Sequence, residues 1–187
     1  MNGILKVGLC SVAIGTMLTT AGCAGRDGVT ASLASETRYK ERDSERFAQG
    51  YHDETLGSGR YRIETEVSAV SPREDAAAMA KVRAAELTKE NGLTHFAILD
   101  ARSLSRCVGT VQGGTHTGMP RVEMTIQLLQ TPPAGAEKGV YEADAVLTEL
   151  RAHVIAPNYS YEQKLKNVET NRESCYRGTR ILDEAAS

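Results

Sequence analysis

Arg60-Tyr61-Arg62-Ile63-Glu64-Thr65-Glu66-Val67, with Ser71-Pro72-Arg73-Glu74 shortly after it, decides the fold class. Tyr61, Ile63, Thr65 and Val67 alternate with Arg60, Arg62, Glu64 and Glu66. Apolar, β-branched and aromatic residues at period two, with charges between them, make a half-buried strand over 60–67. The second stretch starts a helix. Ser71 offers a side-chain cap, Pro72 suits the first helical position and Glu74 completes a capping box. Asp75 adds a negative charge at the positive end of the helix dipole. The helix is predicted over 72–90, with Ala76, Ala80, Ala84 and Leu87 in one stripe and Met79 and Arg83 on its flank. Asn91-Gly92 closes it with residues that tolerate the left-handed conformation.

Working outward, Phe96-Ala97-Ile98-Leu99 is an uninterrupted apolar run, read as a strand covered on both faces and extended over 94–111. Gly113-Gly114-Thr115-His116-Thr117-Gly118 is turn chemistry. Over 120–130, Val122, Met124, Ile126 and Leu128 alternate with Arg121, Glu123, Thr125 and Gln127, a second half-buried strand. The polar faces of the two alternating strands carry opposite charges suited to cross-strand pairing. After a Pro/Gly/Ala linker over 131–139, Ala143, Val146, Leu147, Leu150 and Val154 predict a helix over 142–154, stopped by Pro157. The expected fold is α+β: a small mixed or antiparallel sheet of three or more strands, with one or two helices packed on one face. A right-handed strand–helix–strand crossover and a hairpin-first topology both fit. The domain is placed at 47–156, followed by a polar C-terminal tail over 157–187.

Composition narrows the function classes. The chain has 187 residues, with 22 basic against 24 acidic, 41% hydrophobic and 25% charged. That is ordinary for a globular protein and excludes collagen-like, disordered and multi-span membrane chains. Without a basic surplus there is no electrostatic case for a nucleic-acid partner. Residues 1–22 read as a signal peptide, because a single charge at Lys6 precedes a short apolar stretch and small residues. Thr20-Ala21-Gly22-Cys23 resembles the lipobox of bacterial lipoproteins, although Thr20 stands where Leu is commonest. The resemblance implies lipidation of Cys23 by diacylglycerol and a fatty acyl chain such as palmitate. Ala24, where Asp would favour the inner membrane, implies the outer membrane. A plain secretory peptide or an uncleaved anchor is the alternative, since residues 7–25 are uncharged and near the length of a span. Residues 23–46 are polar and read as lipid anchor and flexible tether.

Of the four cysteines, Cys10 leaves with the signal peptide and Cys23 is taken by lipid. Cys107 and Cys175 remain, and an exported compartment favours one disulfide between them. Closing so long a loop would contribute roughly 4 kcal/mol. Two free thiols too far apart to bond are the alternative. Nothing resembles C-x-x-C, and two Cys without clustered His make no zinc site.

Further motifs carry a family resemblance. Gly50-Tyr51-His52-Asp53-Glu54-Thr55, Arg60-Tyr61-Arg62-Ile63, Arg83-Ala84-Ala85-Glu86-Leu87-Thr88, Gly92, Phe96 and Asp144-Ala145-Val146-Leu147 occur in order. Together they resemble the Caulobacter-type bacterial lipoproteins over residues 50–150. Ser68-Ala69 departs from the Gly-Asn that often follows the first strand there, and the chain beyond Pro157 has no counterpart. The resemblance implies an exported lipoprotein with a small α+β domain and no known activity.

The candidate chemistry is sparse. His52-Asp53-Glu54 brings an imidazole and two carboxylates together, as a cation site or a general base at Glu54 would need. Three adjacent residues cannot all face one ion in an extended chain, so a solvated loop before the strand is preferred. Arg83 and Glu86 sit three apart on one helix face. With Tyr51 they form a candidate binding surface, against the blander reading of an ion pair that orients the helix. His116 lies in the Gly/Thr turn without the Lys and following helix of a phosphate loop, and His95 and His153 read as boundary residues. No nucleophile elbow, H-E-x-x-H, EF-hand or dinucleotide fingerprint occurs, so no catalytic residue, metal or cofactor is assigned and the chain is not expected to be an enzyme. Two classes of function remain. One is a non-catalytic binding or structural domain of an outer-membrane lipoprotein, with the membrane and an envelope protein as partners. The other is a disulfide-bearing envelope-stress sensor.

Overall fold

The computed structural model describes residues 37, 39–42, 49–109, 116–133, 135 and 138–176. The expected leader, Cys23 and the first half of the expected Gly/Thr turn, Gly113-Gly114-Thr115, lie outside them, whereas its second half, His116-Thr117-Gly118, is strand rather than turn. The elements are β1 (Gly50–Gly57), β2 (Arg60–Glu66), α1 (Arg73–Glu90), β3 (His95–Gly109), β4 (His116–Leu129), β5 (Val140–Glu142), α2 (Ala143–Ile155) and α3 (Tyr161–Tyr176). The sheet has the order β1-β2-β4-β3-β5 with every neighbouring pair antiparallel. The fold is α+β, as the alternating strands and the capped helix predict. Because β2 and β3 both pair antiparallel with β4, they run parallel to each other, and α1 connects them across it.

One face of the sheet is apolar and covered. Ile63, Phe96 and Ile126 are fully buried, and Val122, Met124 and Leu128 nearly so. The alanine stripe of α1 lets the helix approach closely. Ala76, Ala80 and Ala84 are buried, and the Thr65 hydroxyl donates to the Ala76 carbonyl oxygen at 2.8 Å. Val82 and Ala85, on the opposite side of the helix, are buried too. The reason is α2, which packs chiefly on α1 rather than on the sheet, so α1 is sandwiched. A single apolar stripe therefore understated how much of α1 is covered.

Several expectations shift. The capping box does not form. Pro72 occupies the cap without a side-chain bond, and the buried Ser71 hydroxyl has no hydrogen-bond partner among the described residues. The apolar run is not covered throughout, since a bulge between Ile98 and Asp100 leaves Leu99 54% exposed. His52-Asp53-Glu54 is no loop but the middle of β1, paired with Glu64, Ile63 and Arg62. Charges on both sides of that strand hid its alternation.

The domain also reaches further at both ends. Thr37 is buried, and its hydroxyl accepts the Ser68 backbone N–H at 2.5 Å. Glu41 makes a parallel bridge to Tyr51, with Tyr51 N–H donating to Lys40 O and Arg42 N–H to Tyr51 O. Gly50 makes this approach workable: its φ is +127°, and a Cβ there would strike the Lys40 carbonyl. Thr37 is thus docked on the domain and residues 39–42 on the edge of β1, although their polarity reads as tether. At the other end, residues read as polar tail form the sixteen-residue α3, laid across the far part of the β3–β4 hairpin.

Candidate functional site

The candidate binding surface Tyr51, Arg83 and Glu86 is brought together, on the seam between β1 and α1. The Arg83 guanidinium lies 5.0 Å over the Tyr51 ring and donates to Asp53 Oδ1 at 2.7 Å and Glu90 Oε1 at 2.8 Å. Glu86 accepts from the Tyr39 hydroxyl and lies 3.5 Å from Arg83 and 3.6 Å from Arg151. Burial, then the hydrogen bond to Glu86 and its charge, push the Tyr39 hydroxyl well above the usual phenol range. Burial also raises Tyr51. Burial disfavours the Arg83 cation, but its bonds to Asp53 and Glu90 outweigh that and raise its pKa. The charged groups here, Asp53, Arg83 and Glu86, are each bonded to another element of the same chain. The cluster ties residues 39–42, β1, α1 and α2 together, and the orienting ion pair is the role its geometry fits.

Among the described residues the opposite face of the sheet carries no helix. On it stand His52 and Glu54 of β1, Arg62, Glu64 and Glu66 of β2, Arg121 and Glu123 of β4, and Asp100, Arg102 and Arg106 of β3. The register sets Glu64 directly opposite Glu123, a like-charge pair the alternating pattern did not announce. Arg121 resolves it by reaching diagonally to Glu64 at 2.8 Å and along its own strand to Glu123 at 2.9 Å. Arg42 adds a second cation to Glu64 at 2.8 Å. Burial disfavours the Glu64 carboxylate, but the Arg42 hydrogen bond and the Arg121, Arg42 and His52 charges prevail, so its pKa falls below the usual value. Arg106 holds the buried Glu66, with Nε at 2.6 Å from Oε2, and that bond raises the Arg106 pKa. The middle of this face is a shallow cavity of about 370 Å³ lined by Arg62, Glu64, Asp100, Arg102, Glu123 and Thr125. Arg62 and Arg102 stand half-exposed at its rim, paired only to the exposed Glu54 and Asp100.

The other residues of interest are dispersed. His52 and Glu54 project to the open face, whereas Asp53 projects to α1, so the three form no common site. His116 begins β4, away from them. His153, read as a boundary residue, joins α2 to α1. Its Nε2 lies 3.0 Å from Asp75, and the Tyr159 hydroxyl donates to the same carboxylate at 2.5 Å. No signal in the sequence marks residues so far apart as neighbours. Among the described residues no group of three His, Cys, Asp or Glu is placed to hold a metal ion.

Cys107 and Cys175 are joined, with Cα atoms 5.7 Å apart. The bond ties the end of β3 to the last turn of α3. Cys107 is exposed and Cys175 half-buried.

Comparison with known protein families, curated proteins and solved structures finds no match to this chain.

Proposed function

We propose that the chain is a bacterial outer-membrane lipoprotein, anchored through Cys23, whose periplasmic domain is a non-catalytic binding or structural module. The open, charged face of the sheet carries this reading. It offers a concave surface with half-exposed cations and anions from four strands, while the Tyr51–Arg83–Glu86 cluster is closed by its own bonds. An interface of this kind draws specificity from charge complementarity. The lipobox-like Thr20-Ala21-Gly22-Cys23 and the resemblance to Caulobacter-type lipoproteins supply the address.

Two measurements test it. Intact mass of the membrane-extracted protein should match residues 23–187 plus acyl chains, and Cys23→Ser should lose them; an unlipidated mass removes the address. Crosslinking in cells should trap an envelope protein, and Arg62→Ala with Arg102→Ala should abolish the adduct without changing the melting temperature. An adduct that survives these substitutions removes the open face as the binding surface.

A second reading, a disulfide-bearing envelope-stress sensor, is favoured by the position of the cystine at the junction of α3 with the rest of the domain. Its test is a stress-responsive reporter, which should change when Cys107 and Cys175 are both replaced by Ser.

A further inference from the structure

The underside of α3 is unlike any other packed surface of the domain. No α3 residue belongs to the hydrophobic core or to the partly buried apolar residues around it. Instead Asn167 donates to the Val70 carbonyl at 2.8 Å, and Asn171 to those of Ala69 and Ser71 at 2.9 and 3.0 Å. Ser174 donates to the Ser105 hydroxyl at 3.0 Å. Beneath the helix β4 has Gly118, where a Cβ would strike the Asn171 carbonyl and press on the Cys175 sulfur. The helix therefore sits flat on strand backbone, held by polar bonds along its length and one covalent bond at its end. Its outward side carries Tyr161, 65% exposed, and Leu165, 39% exposed. Polar bonds of this sort are exchanged for bonds to water when a helix leaves, so little net attraction remains once the covalent bond is cut. A sixteen-residue helix without a packed apolar face is marginal alone.

We propose that the Cys107–Cys175 disulfide is a redox latch on α3, opened by thiol–disulfide exchange with a dithiol, the chemical class of an extracytoplasmic dithiol oxidoreductase. A thiolate of the dithiol attacks the sulfur of Cys107, the more exposed residue of the pair, the Cys107–Cys175 bond breaks, and Cys175 leaves as a thiolate that takes a proton. The dithiol's second thiolate then attacks the mixed disulfide, closing the dithiol's own disulfide and leaving Cys107 as a thiol. The cystine gains two electrons and the dithiol loses two. Release of α3 uncovers the Ala69, Val70 and Ser71 carbonyls and the β4 backbone at Gly118, a polar groove beside the start of α1. The core beneath α1 is untouched, because α3 contributes nothing to it.

This deepens the sensing reading by naming its moving part, yet it is measured without any cellular output. The experiment is amide hydrogen exchange on the full chain in detergent, before and after reduction with dithiothreitol, and again after reoxidation. Exchange in residues 161–176 should speed up at least tenfold on reduction, with residues 73–90 unchanged, and reoxidation should restore protection. The double variant Cys107→Ser, Cys175→Ser should match the reduced protein. Unchanged protection of α3 would make the disulfide a redundant staple and overturn the latch. Parallel loss of protection in α1 would make it a global clamp and overturn it equally. A helix that releases while the stress reporter stays silent would sink only the sensing reading.

Discussion

Helices α1 and α3 are of similar length, and both lie on the same side of one sheet, but different physics holds them there. Helix α1 buries alanines on two sides, against strands and against α2, and its polar flank is locked by Arg83 and Glu86. Helix α3 sets a buried Asn171, a half-buried Asn167 and a partly exposed cystine against backbone. Hydrophobic burial cannot be removed without unfolding, whereas a disulfide answers to its surroundings. The contrast separates a permanent element from a conditional one.

The largest test of this contrast addresses the shared core. Phe96→Ala, at a fully buried ring stacked 5.5 Å from Tyr141, should destabilise the whole domain by about 3–5 kcal/mol in denaturant unfolding. Both helices should then lose protection together; if only α3 did, the core would not be what holds α1. Arg83→Met leaves Asp53 and Glu86 without their main cation and should cost about 2 kcal/mol, spread over β1, α1 and the docked segment. A neutral result there would restore the seam as a candidate binding surface with structure to spare. Asn171→Ala removes two buried bonds and should weaken α3 alone by about 1–2 kcal/mol, visible as faster amide exchange over 161–176 with no change over 73–90. Equal loosening of α1 would erase the distinction between the helices.

The smallest effect belongs to the open face. Glu64 has its pKa lowered in the folded state by Arg42 and Arg121. Its contribution is therefore present above the ordinary carboxylate value and lost as pH falls through the folded one. Partly buried pairs at a sheet surface, screened by solvent as these are, are worth about 1 kcal/mol. Wild type should lose slightly more stability than Glu64→Gln between about pH 6 and about pH 3. An equal loss would show that the Glu64 charge adds nothing to folding.

What the sequence disclosed follows the same divide. Strand β2, α1, β4 and α2 are legible because burial imprints a period on them, and β2 ends within a residue of its reading. Strand β1 was missed because Asp53 faces α1 as a salt-bridge partner, so both of its faces look charged. Helix α3 was missed because its buried side is Asn167, Asn171 and Ser174, which pattern reading assigns to solvent. The cysteines pointed to its attachment by count alone. At the candidate site, Arg83 and Glu86 were legible as neighbours through helix spacing, with Tyr51 or Tyr61 in reach. Their closure by Tyr39, Asp53 and Arg151 was not, because those partners come from distant parts of the chain.

The docking of Thr37 and residues 39–42 sets a working distance. With the anchor proposed at Cys23, Thr37 docks after 14 residues, rather than the 23 that a free segment through Arg46 would give. At full extension 14 residues span about 50 Å. Anything the open face meets must lie within that radius of the bilayer plus the width of the domain itself, which directs the search for its counterpart to molecules rooted in, or reaching close to, the same membrane.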